Sequence, residues 1–91
     1  VPTLVLRLRP EKLTNPDADL RYLVPRLLCE RCEGKLHEDG YDYEDDNALL
    51  LFLKADAPEQ VLPRVWEILE TEPVLGNTLA LAAELWVEET D

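Results

Sequence analysis

Hydrophobic and polar residues alternate from Thr3 to Arg9 in the run TLVLRLR. Leu4, Leu6 and Leu8 point one way, and Val5, Arg7 and Arg9 the other. A period of two predicts a strand with one firmly buried face. The period changes in TNPDADLRYLVPRLLCERCEG, residues 14–34. There Leu20, Leu23, Val24, Leu27 and Leu28 recur at the spacing of a helical stripe, with Asn and Asp before it and Gly34 after it. Pro25 sits awkwardly in this helix, because it lacks an amide hydrogen and kinks a helix anywhere beyond the first turn.

Lys35–Asp45 reads as a polar, aromatic strand and Ala48–Ala55 as an apolar one, with Asp45, Asp46 and Asn47 as the hairpin turn. Asp56–Glu72 is predicted as a second helix. Asp56 is placed to cap it, Pro58 lies in its first turn, and Val61, Leu62, Val65, Ile68 and Leu69 form its stripe. After the turn PVLGN, Thr78–Glu89 alternates without a break at Leu79, Leu81, Ala83, Leu85 and Val87. That regularity predicts a strand, despite an Ala-, Leu- and Glu-rich composition that would suit a helix.

The order is β-α-β-β-α-β, and LVPRLL (Leu23–Leu28) recurs in pattern as VLPRVW (Val61–Trp66). Two βαβ halves in one small domain predict an α+β, ferredoxin-like fold. It would be a four-stranded antiparallel sheet with strands in the order fourth, first, third, second. Right-handed crossovers would put both helices on one face. The name describes a topology, implies no iron–sulfur cluster and licenses no function by itself. The stretch DGYDYEDDNALLLFLKADAPEQVLPRVWEIL resembles small bacterial domains of this topology whose role is uncharacterised. They too join an acidic hairpin, an apolar strand, a D-x-P-E helix start and a Val/Leu-rich helix. The resemblance spans the central third of the chain, holds no catalytic motif and implies the fold alone.

Ninety-one residues make one domain, residues 1–91, with a modest core. Charge changes the picture more than size does. Nine basic residues against twenty acidic ones give a formal net charge of −11. That field repels phosphate backbones and anionic lipid, so neither nucleic acid nor a membrane surface is an expected partner. No run approaches the roughly 20 apolar residues that span a bilayer, and no signal peptide is visible. The chain starts at Val1 and contains no methionine, as a processed or trimmed chain would. Two cysteines make no disulfide framework, which points to a cytoplasmic setting.

Candidate chemistry is sparse. Six acids crowd between Glu38 and Asp46, but Gly40 precedes most of them, which does not suit a calcium loop. In extended backbone Asp42, Glu44 and Asp46 share one face, and a negative stripe on an edge strand discourages aggregation. Cys29-x2-Cys32-x4-His37 has the spacing of three zinc-knuckle ligands, with Asp42 where a fourth would fall. These residues would straddle a helix end and a strand entry, so no metal and no cofactor is expected. The C-x-x-C also lies at a helix C-terminus beside Glu30 and Glu33, which disfavours a redox thiolate. His37 has only carboxylate neighbours, the chain has no serine, and no nucleotide or zinc-protease motif occurs. No catalytic residue is assigned.

The sharper signal is the sheet face turned away from the helices. It should be solvated, yet it is predicted to carry Val5, Leu50, Phe52, Ala80, Ala82 and Trp86, with Arg7, Arg9 and Glu84 as a polar rim. A contiguous apolar patch marks an interface. A second copy of the chain is the simplest cover, making the protein an assembly module that dimerises through Val5, Leu50, Phe52, Ala82 and Trp86. The alternatives are an immunity- or inhibitor-type protein that binds a basic protein partner, and a small-molecule binder or enzyme in a dimer cleft. Salt sensitivity separates the second from the first.

Overall fold

The computed structural model describes residues 2–89. Val1, Thr90 and Asp91, the ends of the predicted domain, lie outside the described residues. The fold is α+β: a four-stranded antiparallel sheet and two α-helices. The strands are β1 (Thr3–Leu8), β2 (His37–Tyr43), β3 (Leu49–Lys54) and β4 (Ala83–Glu88), and the helices are α1 (Leu20–Arg31) and α2 (Pro58–Thr71). Their order in the sheet is β2-β3-β1-β4. β1 holds its place by pairing on both sides, Leu6 opposite Leu51 in β3 and Leu85 in β4.

One face of this sheet makes the core. Leu4, Leu6 and Leu8 of β1 and Leu49, Leu51 and Leu53 of β3 join Leu20, Val24 and Leu28 of α1 and Val61, Val65, Ile68 and Leu69 of α2 in one buried cluster. The spacing of those residues explains the elements, since each presents a single apolar side to the others. α1 starts at Leu20, the first residue of the helical stripe. Asn15–Asp19 ahead of it forms turns, in which the Asp17 carboxylate accepts a hydrogen bond from the Asp19 amide at 2.8 Å. Pro25 and Pro63 each fall sixth in their helix, the same place in both halves of the internal repeat. Asp56 does not cap α2. Ala57 occupies the N-cap without a side-chain bond, and Pro58 begins the helix.

The predicted fourth strand is only half a strand. Residues Leu79–Ala82 form a 3-10 turn, and β4 starts at Ala83. The cause is the length of its partner. β1 ends at Leu8, opposite Ala83, and Pro10, without an amide hydrogen, leads the chain into a 3-10 turn at Pro10–Lys12. The last bond to this side runs from the Arg9 amide to the Ala82 carbonyl at 3.0 Å; residues 79–81 have no ladder to join and coil instead, with the Leu81 amide donating to the Thr78 carbonyl at 3.2 Å. Leu79 and Ala82 turn into the core, and Leu81 is left 73% exposed.

Two turns shape the ends. Glu44 and Ala48 close the β2–β3 hairpin, with Asn47 at φ +68° as the left-handed residue that a three-residue loop needs. β2 carries a bulge between Glu38 and Tyr41, where Gly40 takes φ +94°. Leu75 and Gly76 both have positive φ between Val74 and Asn77, which bond each other's backbones. The buried Asn77 side chain ties this turn to the loop before α1. It accepts from the Asn15 amide at 2.7 Å and donates to the Asn15 carbonyl at 2.8 Å.

Candidate interaction surface

The register decides what the other sheet face carries. Trp86, Val5 and Phe52 form one row across β4, β1 and β3, and Glu84, Arg7, Leu50 and Asp42 form the next. Neither row belongs to the buried core cluster on the helix side. Val5 is nevertheless only 1% exposed, because it lies between the two aromatic residues of its row. Leu50, Phe52 and Trp86 are half-buried. The Arg7 guanidinium sits 4.8 Å from the Trp86 ring centroid, and the Trp86 Nε1 hydrogen is donated to Glu88 Oε1 at 3.1 Å. The patch is thus a shallow aromatic strip with a charged lid at one end.

That lid is an ion-pair network. Arg7 Nε and Nη2 donate to the two Glu44 carboxylate oxygens at 2.6 and 2.9 Å, and its Nη1 donates to Glu84 at 2.8 Å. Arg9 donates to the other Glu84 oxygen at 2.5 Å and to Asp46 at 3.2 Å. The planar guanidinium fork suits this two-sided engagement, and a network holds better than separate surface pairs. Arg9 first and Arg7 second hold the Glu84 carboxyl below the usual carboxylate range, while these acids raise both arginines. The acidic hairpin is therefore not only a solvated edge. Its Glu44 and Asp46 fasten the loop to the residues at the end of β1.

Among the predicted interface residues, Val5, Leu50, Phe52 and Trp86 share the open face. Ala82 does not belong with them: it lies in the 3-10 turn and is 2% exposed, buried within its own chain. The zinc-knuckle residues are not brought together. Cys29 lies in α1 and Cys32, at its C-cap, belongs to the core on the helix side. His37 pairs with Lys54 and Asp42 with Leu50, which puts both on the open face. Among the described residues no group of three or more His, Cys, Asp or Glu side chains is arranged to hold a metal. Burial pushes both thiols up, and Glu38 adds to the rise at Cys29.

One cluster has no counterpart in the sequence reading. Tyr22 of α1 meets Tyr41 of β2 on the helix side of the sheet edge, Tyr41 meets Tyr43 in turn, and Arg21 stacks against Tyr22 and Tyr41. The two-residue spacing of Tyr41 and Tyr43 signals a shared face, but nothing in the sequence alone places Tyr22 beside them. Comparison of the chain with protein-family models, curated proteins and solved structures finds no match.

Proposed function

We propose that this protein is a non-catalytic assembly module of ferredoxin-like architecture that pairs with a second copy through the open face of its sheet. The observation that carries this reading is the strip of half-buried Trp86, Phe52 and Leu50 around the buried Val5, which neither helix covers. Charge favours the same face. Arg7, Arg9 and Lys54 stand there against Asp42, Glu44, Asp46, Glu84 and Glu88, so it carries a small part of the −11 total. Two copies meeting there repel each other least. A two-fold contact uses the same patch on both chains, so every favourable group counts twice.

The contact is a modest one. Half-buried side chains leave on the order of 50 Å² each to be covered, about 1 kcal/mol apiece at 25 cal/mol per Å². Three such residues on each copy give about 6–8 kcal/mol before the costs of association, which fits a weak, concentration-dependent dimer. Substituting Leu50 with aspartate tests the reading. L50D puts an uncompensated charge into the strip and should sediment as a folded monomer with its circular dichroism kept. A variant that pairs as well as the wild type contradicts this use of the face.

A further inference from the structure

We propose that the hollow where the end of α1 meets the start of α2 binds a small phosphorylated polyol, a sugar phosphate in its simplest form. The hollow lies on the helix side of the sheet, so the site stands whether or not two copies pair through the open face. Arg31, Lys35 and Arg64 line a volume of about 330 Å³ there, three of the nine basic residues of the chain, against one lining acid, Glu33. The buried Cys32 and Val61 line it as well. Local structure brings the cations together. Glu33 and Gly34 take φ +47° and +84°, which turns the chain back over the end of α1, and the Lys35 amide donates to the Cys32 carbonyl at 3.0 Å. From α2, Gln60 and Arg64 stand one turn apart and share a side of the helix.

The donors that the protein leaves unused select the ligand. Glu72 takes Arg31 Nε at 2.9 and 3.0 Å and its Nη2 at 2.9 Å, which leaves Nη1. Glu67 pairs with Arg64 through Nη1, which leaves the Nε–Nη2 edge, the one that can hold two phosphate oxygens at once. The Lys35 ammonium makes no ion pair among the described residues. Counted with Glu33, Glu67 and Glu72, the cluster is neutral, whereas the whole chain carries −11. That total opposes a long polyanion, but a single phosphate group needs only this local set, two guanidinium groups and a point-charge ammonium. An adjoining hollow of about 180 Å³ shares Lys35, Gln60 and Val61 and adds Asp56. Carboxylates repel a phosphate and accept from hydroxyls, so Asp56 and Glu33, with the Gln60 amide, favour a hydroxylated body beside the phosphate. The larger volume is at the small end of ligand pockets, which start at roughly 300 Å³, and suits one sugar unit.

The test titrates nitrogen-15-labelled protein at low salt with ribose 5-phosphate and, in parallel, with ribose and with inorganic phosphate. We expect saturable shifts centred on Lys35, Gln60 and Val61 with ribose 5-phosphate, binding of inorganic phosphate about tenfold weaker, and none of ribose. K35E should weaken the binding of ribose 5-phosphate about tenfold. Lys35 is exposed, so the variant should keep its circular dichroism, and the wild-type shift map stands without it. Cys32 gives a second readout. Burial pushes its thiol up while Arg64 and Lys35 pull it down, so an anion that neutralises those two should slow its reaction with a disulfide reagent. Cys29, raised by burial and by Glu38, should react at an unchanged rate. Absence of saturable shifts up to about 20 mM ribose 5-phosphate, shifts centred elsewhere, equal binding of ribose or of inorganic phosphate, or a K35E variant that binds like the wild type overturns the proposal.

Discussion

Leu79 and Leu81 lie two residues apart in an alternating run, and a continuous strand would bury both on one side. In the 3-10 turn their fates differ: Leu79 is wholly buried in the core and Leu81 is 73% exposed. Truncating a buried leucine removes its transfer energy and leaves a cavity, so L79A should cost about 3–5 kcal/mol. L81A removes a side chain already in water and should stay within about 0.5 kcal/mol. A domain of this length has on the order of 5–14 kcal/mol of stability, so the first change takes a large share and the second almost none. Urea unfolding followed by circular dichroism reads the difference directly. With a slope of about 1–2 kcal/mol per molar, the midpoint of L79A should fall by about 2 M at constant slope, while that of L81A should not move. Equal losses in the two variants would restore the strand and refute the reasoning from the short β1.

Acid should loosen the network at the sheet end. Arg9 and Arg7 hold Glu84 below the usual carboxylate range, so its contribution is present above the unfolded value and is lost as pH falls through the lowered folded one. E84Q should therefore melt earlier than wild type at pH 7 and lose less on acidification from about pH 5 to pH 3; parallel melting curves against pH would contradict the pairing. The thiols should be sluggish, because burial raises both, and the buried Cys32 should react with a disulfide reagent at pH 7 more slowly than the half-buried Cys29. Faster reaction than free cysteine would contradict that. Equimolar zinc should leave the melting temperature unchanged, since the sheet separates the cysteines from His37 and Asp42; a clear rise would show that the four residues can converge.

What the sequence made legible was local. The alternation in β1 and β3 and the stripes in α1 and α2 predict these elements because each has one buried side. The same alternation misled at Leu79–Ala82, where a strand needs a partner as well as a pattern, and β1 stops at Leu8. The cap was misread for a related reason. Asp56 has the right chemistry for an N-cap, but the helix begins at Pro58, which leaves Ala57 in that position. Of the surface, parity alone put Val5, Leu50, Phe52 and Trp86 on one face with Arg7 and Glu84. It did not show that Arg7 and Arg9 reach Glu44 and Asp46, because those bonds depend on how the hairpin turn lies against the end of β1. Tyr22 and Tyr41 likewise meet only through the packing of α1 on the sheet edge.

Sedimentation equilibrium of the wild-type protein from about 10 µM to several millimolar tests the central claim most directly, since a weak dimer reveals itself only at the top of such a range. The account predicts an average mass that rises with concentration toward twice that of one chain, and F52D held at the mass of one chain throughout. A wild type that keeps the mass of a single chain at every concentration would contradict pairing through the open sheet face.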